Sequence, residues 1–196
     1  MKHTATAALM LSLGVASLYA QQRPLKMTFS GSIVATTIDL GPNTITDEEH
    51  LAGNGTLGPF TFRKLRTEET SPQSVGRCGD GSGPNFRVVA GGGVFRFQDG
   101  SLLMVKVTEG ALCVDLDHMV GHLTETYQIT GGTGRFKNAA ASCGVMARDC
   151  TINSTGTLAA VLFDASGAAK LLTNTGEFEG TLSALAIGEE RQDERQ

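Results

Sequence analysis

Apolar and polar residues alternate along most of the chain after residue 25. In the segment KMTFSGSIVA, Met27, Phe29 and Ile33 fall on one side, and residues with hydroxyl groups fall on the other. A period of two is typical of a half-buried strand. Similar segments recur to about residue 187, and none shows sustained apolar spacing of three and four residues. The pattern predicts an all-β domain whose antiparallel strands close into a barrel, which removes exposed edges.

Glycine, proline and polar residues interrupt the alternation at several points. We interpret GPNTITDEEH as a loop with one helical turn at Asp47–His50, and Gly58-Pro59 as a bulge or bend within a strand. The polar segment 66–85 predicts a long functional or disordered loop. Asp99-Gly100 predicts a type I′ hairpin, and residues 164–167 predict a second hairpin turn.

The stretch QITGGTGRFKNA, from Gln128, raises the question of a phosphate-binding loop. A lysine followed by a serine or threonine is missing at the positions such a loop requires. The dinucleotide pattern also fails, because Lys137 stands where its last glycine should be. The stretch therefore predicts a structural turn between two strands, the second beginning at Phe136, and its glycines are Gly131, Gly132 and Gly134.

The first residues are typical of an export signal. Residues 1–20 carry Lys2, an apolar run and a small residue at Ala20, and the run is too short for a membrane span. We predict a signal peptide over 1–20, one barrel domain over 21–187 and a charged, disordered tail over 188–196. Removing Lys2 takes the formal charge from −4 to −5. This acidic balance argues against a nucleic-acid partner, and we expect a secreted or periplasmic protein without a membrane span.

Four cysteines in an exported chain favour two disulfides. Three pairings are open, and we favour Cys78 with Cys113 and Cys143 with Cys150, because a hairpin could close the second pair. Zinc binding is the rival interpretation. It is disfavoured because the cysteines form no C-x-x-C motif.

The densest polar cluster lies in CVDLDHMVGHLTETY. Its side chains are the candidate ligand-binding residues Asp115, Asp117, His118, His122, Glu125 and Tyr127. On a strand, His118 and His122 would share a face and could hold a metal or act as a base. The alternation around Asp115, and a turn at Gly121, favour the simpler interpretation of exposed strand positions. We therefore assign no metal and no cofactor.

The segments YQITGGTGRFKNAAA and GEFEGTLS resemble the turn and closing strand of the allene oxide cyclase and dirigent superfamily. With the signal peptide and GNGTLGPFTF, the chain is similar to secreted, uncharacterised bacterial members. The resemblance implies an eight-stranded antiparallel barrel and the capacity to form a homo-oligomer. The position that carries a functional arginine or tyrosine in plant relatives corresponds to Ala140 here. The resemblance therefore implies the fold, and neither cyclisation nor guided radical coupling.

Two functions follow from these observations. The first is a non-catalytic exported barrel that binds a small apolar ligand or displays its loops to a partner. The alternative, implied only by the resemblance, is an isomerase or cyclase acting on a small apolar substrate.

Overall fold

A computed structural model describes residues 22–38, 40–143, 150–163, 165 and 169–183. The predicted signal peptide and the charged tail lie outside these residues. Between its strands the chain forms a 3₁₀ turn, Gly134–Phe136, and one helix, α1 (Ala139–Cys143). The strands are β1 (Gln22–Ala35), β2 (Thr44–Gly55), β3 (Phe60–Glu69), β4 (Ser74–Cys78), β5 (Gly81–Phe97), β6 (Leu102–Asp115), β7 (Val120–Gly132), β8 (Thr151–Phe163) and β9 (Ala169–Ser183).

Eight of these strands form a closed antiparallel barrel, as the sequence predicts. Each strand pairs with its neighbours in the order β1, β2, β3, β5, β6, β7, β8 and β9, and β9 pairs back to β1. The pairing of β3 with β5 closes the ring, while β4 is a short partner of the first part of β5. Within the described ranges, no helix is long and apolar enough to cross a membrane.

The predicted loop and helical turn at 41–50 are wrong, because β2 runs through Thr44–Gly55. Asp47 and Glu49 are buried inside the barrel, on the same side of the strand as Leu51. Charged residues on the inner side of the strand hide the alternation that would have identified it. The sequence-based interpretation assumed that such residues face solvent.

Three predicted turns also differ from the structure. Gly58, with φ of 85°, belongs to the turn between β2 and β3 and not to a bulge. The predicted loop 66–85 is instead the end of β3 and the β4–β5 hairpin. The turn at Asp99-Gly100 is not type I′, since only the glycine has a positive φ and type I′ needs two such residues. The predicted turn at 164–167 lies mostly outside the described residues.

The glycine-rich stretch leads into helical structure, so the predicted strand from Phe136 is wrong. Gly131 and Gly132 end β7. Gly134 has φ of 59°, which glycine adopts readily, and a side chain there would also overlap the Ser101 hydroxyl. The following alanines form α1, as their high helix propensity favours.

This helical segment covers one end of the barrel, which we call the closed end. Phe136 and Ala139 are buried in its core. Arg135 donates a hydrogen bond to the Leu57 carbonyl at 2.6 Å and lies over the Phe97 ring, 4.7 Å from its centroid. The opposite end, where β1 meets β2, β6 meets β7 and β8 meets β9, we call the open end.

Two apolar clusters fill the barrel. The first lies toward the closed end and is dominated by aromatic rings, among which Phe62 and Phe95 stack with centroids 4.1 Å apart. The second is smaller and lies toward the open end; its buried members are Ile33, Val88, Leu112, Leu123 and Leu158. Polar side chains separate the two clusters.

The predicted disulfide between Cys78 and Cys113 is confirmed, with Cα atoms 5.7 Å apart. It fastens the β4–β5 hairpin to β6. At the hairpin tip, Gly79 lies directly against the His122 ring, where a side chain would not fit. The second predicted pair involves Cys143, whose side chain lies outside the described part of the chain.

Candidate functional site

A layer of charged side chains crosses the barrel between the two apolar clusters. Lys64 and Arg66 reach it from β3 because they share the inward side of that strand with Phe60 and Phe62. The other members come from β2, β3, β7 and β9. The charged layer consists of Asp47, Glu49, Lys64, Arg66, Glu68 and Glu125, together with Tyr127 and Asn174.

Lys64 is the centre of the deeper half of the layer. Its Nζ lies 2.5 Å from a carboxylate oxygen of Glu49 and 2.5 Å from one of Glu125. It also donates to the Tyr127 hydroxyl at 3.0 Å, and that hydroxyl in turn donates to Glu125 at 2.5 Å. Asn174 donates from Nδ2 to Glu49. Lys64, with a side chain 1% exposed, thus uses all three of its protons.

Arg66 forms the half of the layer nearer the open end. Its Nη2 lies 2.8 Å from Asp47 Oδ2 and 3.3 Å from Glu68 Oε2. The Arg66 side chain is 2% exposed, and the two carboxylates are 9% and 13% exposed. The acids therefore lie closer to solvent than the guanidinium they hold.

Burial and neighbouring charges pull the pKa values of the layer apart. Burial raises the pKa of Glu68, and the attraction of Arg66 offsets this only in part. Burial opposes ionisation of Glu49 as well, yet the cations Lys64 and Arg66 outweigh it and lower the pKa of that carboxyl. Burial, and then the carboxylates of Glu125 and Glu49, raise the pKa of Tyr127 well above its usual value.

Several buried atoms of the layer lack hydrogen-bond partners. They include the acceptors Glu125 Oε1 and Asn174 Oδ1, and the donors Nε and Nη1 of Arg66. A buried polar atom without a partner costs about 1–3 kcal/mol. These atoms have almost no surface accessible to solvent.

The open end of the barrel is lined by apolar side chains. Phe86, Val114 and Leu172 are partly buried and pack on the second cluster, and we call these three side chains the mouth. Around it stand exposed apolar side chains in the β1–β2 loop and the β6–β7 turn. These are Ile38, Leu40, Leu116 and Met119, which we call the rim, and they are 45–71% exposed. The β1–β2 loop and the β6–β7 turn lie on opposite sides of the mouth. Counted around the barrel in either direction, four of its eight strands lie between them.

Three of the predicted ligand-binding residues lie together in the β6–β7 turn. Asp115 is buried and accepts from the backbone N–H of Asp117 at 2.9 Å and of His118 at 3.1 Å. Its Oδ2 lies 2.9 Å from His118 Nδ1. This contact raises the pKa of His118 and lowers that of Asp115. Asp117 accepts from the Ser82 N–H at 3.1 Å, so the turn is held to the start of β5.

The other three candidates are divided between the two faces of β7. His122 lies on the outer face, against Gly79. Glu125 and Tyr127 point into the barrel and belong to the charged layer. The structure thus separates the predicted cluster into a turn, an outer position and two layer residues. No group of three metal-binding side chains occurs among the described residues.

Sequence reasoning missed most of the charged layer. Glu49, Lys64, Arg66 and Asn174 were not among the candidates. A signal was present in FTFRKLR, because Phe60, Phe62, Lys64 and Arg66 are spaced by two and a strand places them on one side. Ala140, the position that the sequence resemblance aligns with a functional residue of plant proteins, is exposed on α1 at the closed end.

Comparison with known proteins finds a remote structural similarity and no match by sequence. No family model matches the chain, and no curated protein matches it. Among solved structures, a pterocarpan synthase dirigent protein aligns with 8% sequence identity and a TM-score of 0.35, over 91% of this chain and 97% of that protein. The assignment of this chain as a closed barrel rests on its own strand pairing.

Proposed function

We propose that this protein is an exported, non-catalytic barrel that binds a small, mainly apolar molecule at its open end. The observation that carries the proposal is the arrangement of apolar side chains there. Partly buried residues line the mouth, exposed ones form the rim, and the charged layer lies beneath. Small-molecule sites commonly combine apolar walls with a few polar groups, and the mouth of a barrel is a frequent place for them.

The structure of the closed end also favours entry of the ligand at the open end. Phe136 and Ala139 are buried there, and Arg135 ties the covering segment to the β2–β3 turn. A molecule approaching from that side would have to displace an aromatic core. At the open end it meets side chains that are already partly exposed, such as Leu172. Binding there removes apolar surface from water, at about 25 cal/mol per Å².

Display of the rim to a protein partner is the second candidate function. It is favoured by the burial of the charged layer, whose paired side chains are at most 13% exposed. An isomerase or cyclase is the third, and it lacks a residue to carry it, since position 140 is an alanine on the outside of α1.

The environment-sensitive dye 1-N-phenylnaphthylamine tests the preferred function. We expect saturable dye binding to the native protein, and an affinity about tenfold lower in the double variant Leu40→Ser, Met119→Ser, since each loses apolar contact at the rim. A control is Val94→Ser with Met104→Ser, a cross-strand apolar pair on the outer wall whose side chains are 38% and 37% exposed. Absence of dye binding, or an equal loss in the control, would contradict the proposal.

A further inference from the structure

We propose that the molecule bound at the open end carries a cationic amine, and that the amine binds to the charged layer through Glu125 and Asn174. The inference rests on the proposed function, because it names the polar group of the molecule that enters the mouth. Two independent features of the layer carry it. One is its balance of charge, and the other is the position of its unpaired acceptors.

The charged layer holds more acids than bases. Asp47, Glu49, Glu68 and Glu125 face only Lys64 and Arg66, a formal excess of two negative charges among side chains at most 13% exposed. Buried charge is costly unless it is paired. The deeper half, with one lysine between two carboxylates, already carries part of this excess. A ligand cation would bring the layer closer to neutrality.

The unpaired acceptors lie where such a cation would arrive. Glu125 stands two positions along β7 from Leu123, and Asn174 stands two positions along β9 from Leu172. Leu123 and Leu172 belong to the cluster at the open end, so both polar side chains lie directly beneath it. Glu125 Oε1 and Asn174 Oδ1 are buried acceptors without a donor, and a third such acceptor, Glu68 Oε2, already lies 3.3 Å from the Arg66 cation. An ammonium group has three donors and no acceptor, which suits this pair.

The unpaired donors of Arg66 would favour an anionic ligand, but the excess of negative charge in the layer argues against one. Nε and Nη1 of Arg66 would suit a carboxylate ligand. A carboxylate, however, would raise the excess from two negative charges to three, whereas an ammonium lowers it to one. Arg66 also already faces both Asp47 and Glu68.

Entry requires side chains at the mouth to move, since the acceptors are buried. Phe86 and Val114 of the second cluster are only partly buried, so they already face solvent in part. The apolar body of the ligand would replace their contacts. Its amine would then be the part that reaches Glu125.

Three probes of equal chain length separate the alternatives: decylamine, 1-decanol and decanoate, each displacing 1-N-phenylnaphthylamine at neutral pH and low salt. We expect decylamine to bind about tenfold more tightly than the alcohol, and decanoate to bind most weakly. In Glu125→Gln, which keeps the size of the side chain, the affinity for decylamine should fall about tenfold while that for decanol stays the same. Glu177→Gln, the same change on the outer face, should alter neither.

The outcomes distinguish this inference from the proposed function. Decanol or decanoate binding at least as tightly as decylamine would overturn the inference and leave the proposed function standing. An unchanged decylamine affinity in Glu125→Gln would overturn it as well. If none of the three probes displaces the dye, both fail. Should Glu125→Gln not fold, the ranking of the three probes on the native protein decides.

Discussion

Replacing Lys64 by methionine is the strongest test of whether the charged layer is ionised as the structure describes. Methionine has a similar length and no charge, so the change removes the cation and little volume. Lys64 contacts Glu49 and Glu125, each at 2.5 Å, and its side chain is 1% exposed. The variant leaves two buried carboxylates facing each other without their shared partner.

The expected loss of stability is large. Removing one partner of a buried ion pair costs about 3–5 kcal/mol, because the remaining charge stays desolvated and uncompensated. Here two carboxylates lose the same cation, so we expect the free energy of unfolding to fall by an amount in the upper part of that range. A domain of ordinary stability has about 5–15 kcal/mol in total.

Urea denaturation followed by far-ultraviolet circular dichroism measures this loss, with Lys26→Met as the control. Lys26 also pairs with two carboxylates, Glu177 and Glu179, but its side chain is 63% exposed, so its removal should have no measurable effect. The loss in Lys64→Met should shrink as pH falls below about 4.5, the usual pKa of a glutamate, because the cations Lys64 and Arg66 hold the pKa of Glu49 below that value and a protonated Glu49 needs no cation. A loss below about 1 kcal/mol at neutral pH would refute an ionised layer.

Three further results are expected. Because the folded pKa of Tyr127 is raised, the unfolded chain gives up that proton first as pH rises above about 10, and stability should then fall; Tyr127→Phe should make the alkaline limb of a stability profile flatter. Gly134→Ala should lower the melting temperature, since it has a positive φ and a crowded neighbour, while Gly76→Ala, with open space around it, should not. Replacing Cys78 and Cys113 together by alanine should cost about 4 kcal/mol in the denaturant assay, from the 35-residue separation they close; an unchanged midpoint would show that the bond does not restrain the unfolded chain.

The parts of the fold that the sequence predicts well are those where polar residues face solvent. In β1, Met27 and Phe29 lie inside the barrel and the hydroxyl side chains lie outside, so the period of two can be recognised in the sequence. The pairing of Cys78 with Cys113 was also predicted, because four cysteines allow three pairings and the short segment between Cys143 and Cys150 favours bonding those two to each other.

The assumption that polar residues face solvent identified β1, and the same assumption caused the charged layer to be missed. Glu49 and Lys64 are charged and buried, and the alternation around Lys64 in FTFRKLR shows only the side of the strand it lies on. Their compensating partners cannot be identified from it, because these lie on other strands, 15 residues away in one case and 61 in the other. The charges meet because β2 pairs with β3 and because closure of the barrel places β7 opposite these two strands. Neither arrangement can be read from the sequence around Glu49 and Lys64. The helix α1 was missed for a different reason: a run of alanines is apolar enough to pass for a strand where turns surround it.

The closed end of the barrel limits how a bound molecule could be exchanged. Because Phe136 fills the closed end, a molecule bound at the rim as we propose would have to leave by the route through which it entered. A second molecule could then bind only after the first had left. The rate of exchange would be set by the rate of dissociation.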